Sequence, residues 1–463
     1  MPDPHQVDDA HVLRVLHEFV RPAVTGPSAP LDEIAAHHVH GEPISYDDAV
    51  AAAYEPFAIG DTWGPAWDTS WFRLRGTIPP EWAGAEVALR FEIGGAGDTG
   101  FGAEALVWDH GRPMQGLSPN HREYRLTRSA EGGSTGELYV EAAANPRAAW
   151  GLPEWPLLLA EPDGPPQFTL ARAELRVVRP ELRAFWEDAR LLSELLTYLP
   201  VDDPRAAQVR AALVDACAAI DLDDVAGSVL RARPALKAAL GVPARSGGHR
   251  VSAVGHAHLD TAWLWPLRET VRKCARTFAT AVSLMDDYPE YRFACSQAVH
   301  LAWTKEHYPD LFERIRAKVA TGQFEPTGSM WVEPDCNLPG GESLVRQLVY
   351  GKRFFLDEFG IETRDAWLPD VFGFTAALPQ IFRRAGVEWF LTQKLSWNQY
   401  NLMPHHSFLW EGIDGSRCRG RGSDRHPCGA RRPSCSRRTC RPAGSGRRRA
   451  SRRCPPTGSC GGA

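Results

Sequence analysis

The sequence predicts a multidomain α/β protein, because three kinds of pattern follow one another along its 463 residues. Short alternating apolar and polar runs separated by turn residues occupy residues 61–178 and predict a β-sandwich-like domain. Segments rich in Ala, Leu, Arg and Glu follow at 179–247 and predict a helical connector. Apolar runs then alternate with helical patterns over 248–416, which predicts an α/β domain with a mostly parallel sheet. A chain of this length exceeds one ordinary domain.

Residues 1–60 are predicted to form a helical and extended segment. One amphipathic helix is expected between residues 1 and 25. Its apolar face comprises Val12, Leu13, Leu16, Phe19 and Val20. The helix is flanked by acidic residues and is too polar for a signal peptide, and no run of 18 apolar residues occurs in the chain. These features predict a cytoplasmic protein without a membrane span.

The β-sandwich prediction depends on four runs in which apolar and polar residues alternate. Such alternation is typical of strands that have one face on a core and one face in water. The runs are 70–76, 87–93, 137–141 and 168–175. A Trp on such a strand belongs more often to the core than to a ligand site, and sugar contact by this domain stays an alternative.

Helices and strands of the remaining domains follow from periodicity and from prolines. Two or three helices are expected between Pro180 and Gly241, with breaks at Pro200–Pro204 and near Pro234. The strands predicted for the α/β domain are 251–254, 293–296, 323–327, 366–368 and 388–392. The helices predicted between them are 269–285, 301–321 and 341–359. In such folds, ligand sites lie at the carboxyl ends of the strands.

A short motif after the first of these strands predicts a metal site. Beyond Val251–Val254, the residues His256, His258 and Asp260 occupy alternate positions. Because side chains alternate along a strand, all three would point into the same space. Imidazole nitrogen and carboxylate oxygen suit a divalent cation such as zinc. Trp263 would place an indole face beside that cation, where a sugar ring can stack. The alternative is a chance His-x-His followed by an Asp that caps the next helix.

A second motif lies about a hundred residues further on, in Ala366–Phe374. Its one carboxylate, Asp370, stands among large apolar residues. Burying a carboxylate there costs several kcal/mol unless a cation or hydrogen bonds offset the cost. The metal predicted at the first motif would be that cation. The alternative is a turn or N-cap Asp ahead of a helix at 376–384.

Together the two motifs resemble glycoside hydrolase family 38, the retaining α-mannosidases, and more closely its cytosolic-type branch. The resemblance spans residues 40–415 and includes two further stretches similar to family signatures, 322–335 and 342–347. It implies a metal-dependent retaining α-mannosidase that hydrolyses terminal α-D-mannosyl residues of oligosaccharides. One zinc ion per chain is implied, or cobalt in its place. A non-catalytic carbohydrate-binding protein or degenerate homologue is the alternative, and an amidase-like metal hydrolase is a more distant one.

The resemblance also implies roles for individual residues. The implied zinc ligands are His258, Asp260 and Asp370. Asp370 would in addition be the nucleophile that attacks the anomeric carbon. The residues implied to bind substrate are Trp263, Phe372 and Lys394, of which the last stands where many relatives have an active-site Arg. The family's fourth zinc ligand, a His, and its general acid/base Asp are expected downstream of residue 416.

Residues 417–463 differ in composition from the rest of the chain. They hold 14 Arg, 6 Cys and a single acid, Asp424, without Lys, Val, Ile, Leu, Met, Phe, Trp or Tyr. Such a segment cannot bury a core and is predicted to be disordered. Three interpretations compete: a nucleic-acid-binding or anion-binding arm, a Cys-rich metal module, and a sequence translated out of frame. The last is favoured, because the segment has no Cys-x-x-Cys and GC-rich codons in a shifted frame yield this composition.

An out-of-frame tail would leave the α/β domain incomplete. Without the implied fourth ligand and acid, the chain is expected to bind metal weakly and to have little or no activity. The expected partners are α-mannoside oligosaccharides, with neither nucleic acid nor membrane, and a homo-oligomer is compatible with the full-length protein. The cysteines outside the tail are expected to be free buried thiols. They are Cys217, Cys274, Cys295 and Cys336.

Overall fold

A computed structural model describes residues 4–94, 102–146, 164–243, 250–398, 400–401 and 403–422. Its strands are β1 (Thr25–Pro30), β2 (Glu33–Val39), β3 (Glu55–Pro56), β4 (Thr62–Trp63), β5 (Thr69–Thr77), β6 (Glu86–Glu92), β7 (Glu104–Asp109), β8 (Arg112–Leu117), β9 (Glu123–Thr127), β10 (Thr135–Ala143), β11 (Phe168–Thr169), β12 (Arg172–Val178), β13 (Gly255–His256), β14 (Phe293–Cys295), β15 (Phe324–Pro326), β16 (Asp365–Trp367), β17 (Trp389–Thr392), β18 (Ser407–Glu411) and β19 (Arg417–Gly422).

The helices alternate with these strands in the second half of the chain. They are α1 (Pro4–Arg14), α2 (Arg21–Ala23), α3 (Tyr46–Ala51), α4 (Pro180–Leu196), α5 (Pro204–Ala218), α6 (Val225–Leu240), α7 (Leu267–Asp287), α8 (Ala298–His307), α9 (Pro309–Ala320), α10 (Gly341–Phe359) and α11 (Leu378–Arg384). Shorter helical turns occur at Val15–Val20, Pro80–Trp82 and Lys394–Trp397. None of the described helices is long and apolar enough to cross a membrane.

Two antiparallel sheets with a shared apolar core form the predicted β-sandwich. One sheet has the order β1-β12-β6-β9 and the other β3-β2-β5-β10-β7-β8. Trp63, Phe72 and Phe91 are buried in the core of this domain. Strands β1 to β3 precede residue 61, and β2 pairs with β5 along its whole length. The sandwich therefore begins earlier in the chain than the alternating runs alone predicted.

The helical connector is formed by α4, α5 and α6, against which the N-terminal helical segment packs. The break predicted at Pro200–Pro204 is confirmed, since α5 begins at Pro204. The break predicted near Pro234 is wrong, because α6 continues through that proline. The break lies instead before Asp224, whose carboxylate accepts a hydrogen bond from the Gly227 N–H at 2.9 Å and caps α6. Burial of apolar residues on both sides of Pro234 stabilises the helix despite its missing N–H.

The α/β part contains two small sheets rather than the single, mostly parallel sheet that was predicted. Strands β13, β14 and β15 form a parallel sheet, while β16, β17, β19 and β18 form a mixed one. The predicted strand at 251–254 is wrong, since Val251 and Val254 are exposed and parallel pairing with β14 begins only at Gly255. The predicted helix at 301–321 is divided into α8 and α9, because Pro309 favours the first turn of a new helix.

Strand β19 contradicts the prediction that disorder begins at residue 417. It lies between β17, to which it is parallel, and β18, to which it is antiparallel. Its residues alternate, with Cys418, Gly420 and Gly422 buried and the intervening arginines exposed. One of these, Arg419, stacks over the Trp389 ring at 4.9 Å. Small residues on one face and charge on the other suffice for a strand here, although no large apolar residue is present. The rest of the predicted tail, 423–463, lies outside the described residues.

Helix α7 joins the α/β part to the sandwich through an interdomain ion network, formed by Glu269, Arg272, Arg276 and Glu104. Glu269 is completely buried and pairs with both arginines of the same helix. Arg276 also reaches Glu104 of β7 at 2.7 Å. From the sandwich, Asn145 donates a hydrogen bond to Glu269 Oε1 at 2.7 Å. Because α7 begins directly after the loop 257–266, this network fixes where that loop lies.

The cysteines that the sequence predicted to be free thiols are confirmed as such. All of them are buried and none forms a disulfide, and the same is true of a fifth cysteine in β19. They are Cys217, Cys274, Cys295, Cys336 and Cys418. Burial raises the pKa of each thiol above its ordinary value, so these side chains are inert.

Candidate metal centre

Three of the predicted site residues lie together at the carboxyl ends of β13 and β16. One ligand atom from each of His258, Asp260 and Asp370 lies within 4.8 Å of the other two. The Nε2 atom of His258 is 3.2 Å from Asp260 Oδ1 and 3.8 Å from Asp370 Oδ2. Among the described residues, these three form the group of mutually close His, Cys, Asp or Glu side chains that could hold a metal ion.

The loop 257–266 positions the first two ligands. After Asp260 the backbone turns back on itself, with Ala262 in the left-handed region at φ 58°. That conformation costs about 1–2 kcal/mol for a residue other than glycine. Hydrogen bonds to Thr270 of α7 offset it, because the Thr270 hydroxyl donates to the Asp260 carbonyl at 3.2 Å and accepts from the Ala262 N–H at 3.0 Å. Trp265 Nε1 donates to the same carbonyl at 3.2 Å. The start of α7 thus fixes the ligand loop.

The third ligand, Asp370, follows β16 and is held from two sides. Its carboxylate forms a close ion pair with Lys394, through Oδ1. Its backbone N–H donates to Glu333 Oε1 at 2.7 Å. The Lys394 ammonium also lies over the rings of Phe372 and Trp397, 4.4 and 3.8 Å from their centroids. One oxygen of Asp370 is therefore neutralised by Lys394, and the other, Oδ2, is directed toward His258.

His258 stands in a strongly negative environment. Burial would lower the pKa of its imidazole, but the carboxylates of Asp260 and Glu333 outweigh burial and raise the pKa to about 10. Glu333 Oε2 lies 3.1 Å from Nδ1, the nitrogen on the opposite edge of the ring from the other two ligands. A cation that binds Nε2 has to displace a proton from a ring with this pKa, which couples metal binding to pH.

His256 does not join this group, contrary to the prediction that it shares the space of His258 and Asp260. Its Nδ1 lies 2.9 Å from the Ala294 carbonyl of the neighbouring strand, and its ring packs 5.5 Å from that of Trp367. The chain leaves β13 directly after His256. The alternation that would have aligned the three side chains therefore ends before His258 is reached.

The predicted substrate-binding residues differ in their exposure to solvent. Trp263 and Phe372, which follow Asp260 and Asp370 by three and two residues, are 45% and 70% exposed. Lys394 is only 9% exposed and is engaged by Asp370 and the two aromatic rings. Both aromatic side chains are thus accessible from solvent, whereas Lys394 is paired with Asp370.

Two residues of the site were not singled out from the sequence. Glu333 contacts both His258 and the backbone of Asp370. Gln297, at the start of α8, accepts hydrogen bonds through Oε1 from the Glu333 N–H and the Thr261 hydroxyl at 3.0 and 2.9 Å. Glu333 lies inside the family-like stretch 322–335, so the resemblance offered a signal. Nothing local to Gln297 distinguishes it from a surface residue.

The donor set fits a zinc ion. Atoms bound to a tetrahedral zinc at about 2.0–2.2 Å lie roughly 3.3–3.6 Å from one another. The two separations from His258, 3.2 and 3.8 Å, bracket that range, and all three ligand atoms lie within 4.8 Å of one another. One imidazole and two carboxylates also match the mixed nitrogen and oxygen sets of catalytic zinc sites. The buried carboxylate of Glu333 lies behind the imidazole, at the position where metal-bound histidines generally have an outer partner.

Comparison with known protein families agrees with this architecture in both parts of the chain. The family described as "Glycosyl hydrolases family 38 N-terminal domain" matches residues 248–419, which contain all three candidate ligands. The family described as "Alpha-mannosidase, jelly roll domain" matches residues 29–176, the β-sandwich. The chain belongs to glycoside hydrolase family 38. The match to the jelly-roll family over residues 29–176 includes β2 and β3, which precede residue 61.

Alignments to curated relatives cover most of the chain. Alpha-mannosidase 2C1 of Homo sapiens is 42% identical over 86% of this chain and 37% of its own length. Alpha-mannosidase G of Dictyostelium discoideum is 38% identical over 86% of the chain and 36% of its own length. The Alpha-mannosidase of Saccharomyces cerevisiae is 35% identical over 78% of the chain and 33% of its own length. The chain therefore spans about a third of the length of the curated relatives it matches.

Proposed function

We propose that this chain provides the metal centre and the nucleophile of a retaining α-mannosidase that acts on terminal α-D-mannosyl residues of oligosaccharides. The observation that carries the proposal is the convergence of His258, Asp260 and Asp370 in a family 38 domain. The relatives that share this domain are named as α-mannosidases.

The metal would be held by His258 Nε2 and by one oxygen each of Asp260 and Asp370. When bound, zinc or cobalt would supply a positive charge that orients neighbouring sugar hydroxyls and favours ring distortion. Contacts within the chain orient the Asp370 carboxylate for the cation. Asp370 Oδ1 is engaged by Lys394, so Oδ2 remains for the cation.

Asp370 would also be the nucleophile. One of its carboxylate oxygens forms a bond to the anomeric carbon while the bond to the leaving group breaks, and water later hydrolyses the resulting glycosyl ester with retention. Lys394 and Glu333 restrict this carboxylate on both sides, and such positioning is a large part of enzymatic rate enhancement. Natural mannosides additionally require an acid that protonates the leaving oxygen.

Trp263 and Phe372 would form the walls of the mannose subsite. Both side chains are exposed and follow candidate ligands closely in the chain, and aromatic faces pack well against the apolar face of a pyranose. The Phe372 ring is held edge-on against Trp397 at a centroid separation of 5.8 Å. The subsite thus has one wall after each ligand-bearing strand.

The nucleophile can be tested separately from the acid by using a leaving group that departs without a proton. A 5-fluoro-α-D-mannosyl fluoride loses fluoride when a carboxylate attacks, and the ring fluorine slows hydrolysis of the ester. We expect the zinc-loaded 463-residue chain to gain one fluoromannosyl group on the peptide that contains Asp370. Asp370→Ala should gain none, and Asp414→Asn, a change at an exposed turn after β18, should react as the parent does.

The opposite outcome would favour the non-catalytic alternative. A chain that holds zinc and binds mannose but forms no adduct on Asp370 would be a carbohydrate-binding homologue. An adduct on a different carboxylate would retain the α-mannosidase but move the nucleophile.

A further inference from the structure

We propose that Glu333 is a positioning residue of the metal centre. In this inference, which depends on the proposed metal-dependent function, Glu333 determines which nitrogen of His258 faces the metal and at the same time anchors the backbone of Asp370. One buried carboxylate would therefore set two of the three ligands.

The geometry around Glu333 is that of a bridge between two ligands. The residue lies in the segment after β15, and its side chain is only 6% exposed. Oε1 accepts the hydrogen bond from the Asp370 N–H at 2.7 Å. Oε2 lies 3.1 Å from His258 Nδ1. Each oxygen thus serves a different ligand.

Its placement makes Glu333 an outer partner of the metal rather than a fourth ligand. The imidazole has two nitrogens on opposite edges, and Nε2 is the one that faces Asp260 and Asp370. Glu333 stands at Nδ1, on the other edge of the ring. Its carboxylate oxygens are therefore directed to the back of the ligand set, and the group of mutually close ligand atoms contains only the other three residues among those described.

Gln297 holds Glu333 in register with the ligand loop. Its Oε1 accepts from the Glu333 N–H at 3.0 Å, and its Nε2 donates to the Leu259 carbonyl at 2.9 Å. Leu259 lies between the two ligands of that loop. The side chain of Gln297 is itself buried, so it has few alternative partners. Three chain segments are consequently tied together, the loop 257–266, the segment after β15 and the segment after β16.

The chemistry of such an arrangement is well defined. A carboxylate that accepts the Nδ1–H fixes the ring tautomer, leaves the Nε2 lone pair for the metal and makes that nitrogen more basic. Loss of outer-shell partners of this kind typically costs about 10- to 100-fold in metal affinity. Burial of a carboxylate without partners would be unfavourable by several kcal/mol, and the contacts of the two Glu333 oxygens with Asp370 and His258 reduce this cost.

The experiment is a zinc titration of the full chain against a chromophoric chelator. We expect Glu333→Gln, which retains the shape and removes the charge, to weaken zinc binding by about 10- to 100-fold. Cobalt loaded into the same variant should show altered ligand-field bands. The matched control is Glu325→Gln, which makes the same charge change at an exposed position of β15 and should stay within about twofold of the parent. Parent-like affinity in Glu333→Gln would overturn the inference.

A second measurement needs no substitution and applies even if the variant fails to fold. In the zinc-loaded parent labelled with ¹⁵N-histidine, long-range proton–nitrogen spectra should show His258 protonated at Nδ1 and coordinated through Nε2. Coordination through Nδ1 would overturn the role of Glu333. A parent chain that holds no zinc would overturn the metal-dependent function as well, whereas tight binding by both parent and Glu333→Gln would overturn this inference alone.

Discussion

Replacing Glu269 by Gln should detach the α/β part from the sandwich more effectively than any surface change. Glu269 is completely buried, and its carboxylate is shared by Arg272 and Arg276 and by the amide of Asn145. The substitution preserves volume but leaves two buried guanidinium groups without their main counter-charge. Removing one partner of a buried ion pair generally costs about 3–5 kcal/mol.

The pKa of Glu269 gives a second, independent value for the stability that the substitution should remove. Burial alone would raise it, but Arg276, Arg272 and Lys273 outweigh burial and lower the pKa from 4.5 to about 2. A difference of that size corresponds to about 3 kcal/mol of interaction with the ionised carboxylate. The free energy of unfolding at pH 7 should therefore fall by roughly 3 kcal/mol in Glu269→Gln, in agreement with the range for buried pairs.

The difference in unfolding free energy between the parent and Glu269→Gln should change with pH in a definite direction. Because the folded-state pKa is lowered, the stabilisation is fully present above the unfolded pKa, near 4.5, and is lost as the pH falls toward about 2. The parent and Glu269→Gln should thus differ at pH 7 and converge between pH 4.5 and 2. Urea unfolding followed by tryptophan fluorescence at a series of pH values measures this difference.

The matched control is Glu42→Gln. Glu42 pairs with Arg268 of the same helix at 3.1 Å, but its side chain is 76% exposed. An exposed pair contributes at most about 1 kcal/mol, so this variant should unfold nearly as the parent does. A Glu269→Gln chain as stable as the Glu42→Gln chain, or a difference that does not shrink in acid, would refute the account of the interdomain ion network.

The metal centre and β19 lead to three further expected outcomes. Trp263→Ala should weaken mannose binding by about 2- to 12-fold without changing zinc affinity, as measured by calorimetry; unchanged mannose affinity would remove Trp263 from the subsite. Lys394→Gln should retain zinc but slow adduct formation on Asp370 by up to about 100-fold in mass spectrometry, and an unaltered rate would mean that Lys394 does not position the nucleophile. Burial raises the pKa of the Cys418 thiol to about 11. Iodoacetamide should therefore alkylate this thiol far more slowly at pH 8 in the native chain than in urea. Equal rates of alkylation would contradict the packing of β19.

Much of the fold followed from local pattern. Helix 341–359 was predicted with the bounds that the structure shows, because its apolar spacing is regular and Gly360 ends it in the left-handed conformation at φ 69°. The β-sandwich followed from alternation. The strand predicted at 251–254 failed because a Val-containing run becomes a strand only when a neighbouring strand pairs with it, and β14 begins to pair at Gly255.

The prediction from composition placed the beginning of disorder too early, at residue 417. The absence of large apolar residues from 417 onward predicted disorder, yet Cys418, Gly420 and Gly422 alternate with arginines and form the buried face of β19. Gly420 is required by its surroundings, because an added Cβ would come within 2.2 Å of the Phe408 ring. Period-two alternation, rather than hydrophobicity, was the signal that could have identified this strand.

The candidate site was predictable in its ligands but not in their support. The resemblance to family 38 implied His258, Asp260 and Asp370 as ligands, and the structure brings these three side chains together. Alternation along the strand had added His256, which lies against Ala294 instead. Glu333 and Gln297 come from two other segments and act through single contacts that only the tertiary fold creates. Local sequence cannot show such contacts, because they depend on the distances between the ends of strands that are far apart in the chain.

The most direct test of the metal centre is zinc content after equilibrium dialysis, measured by atomic emission for the parent, Asp260→Asn and Asp370→Asn. We expect one zinc per parent chain, and in each variant a loss of affinity of more than about 100-fold, beyond what outer-shell changes produce. Zinc retained equally by all three chains would show that the ion binds elsewhere and would contradict the assignment of these carboxylates as ligands.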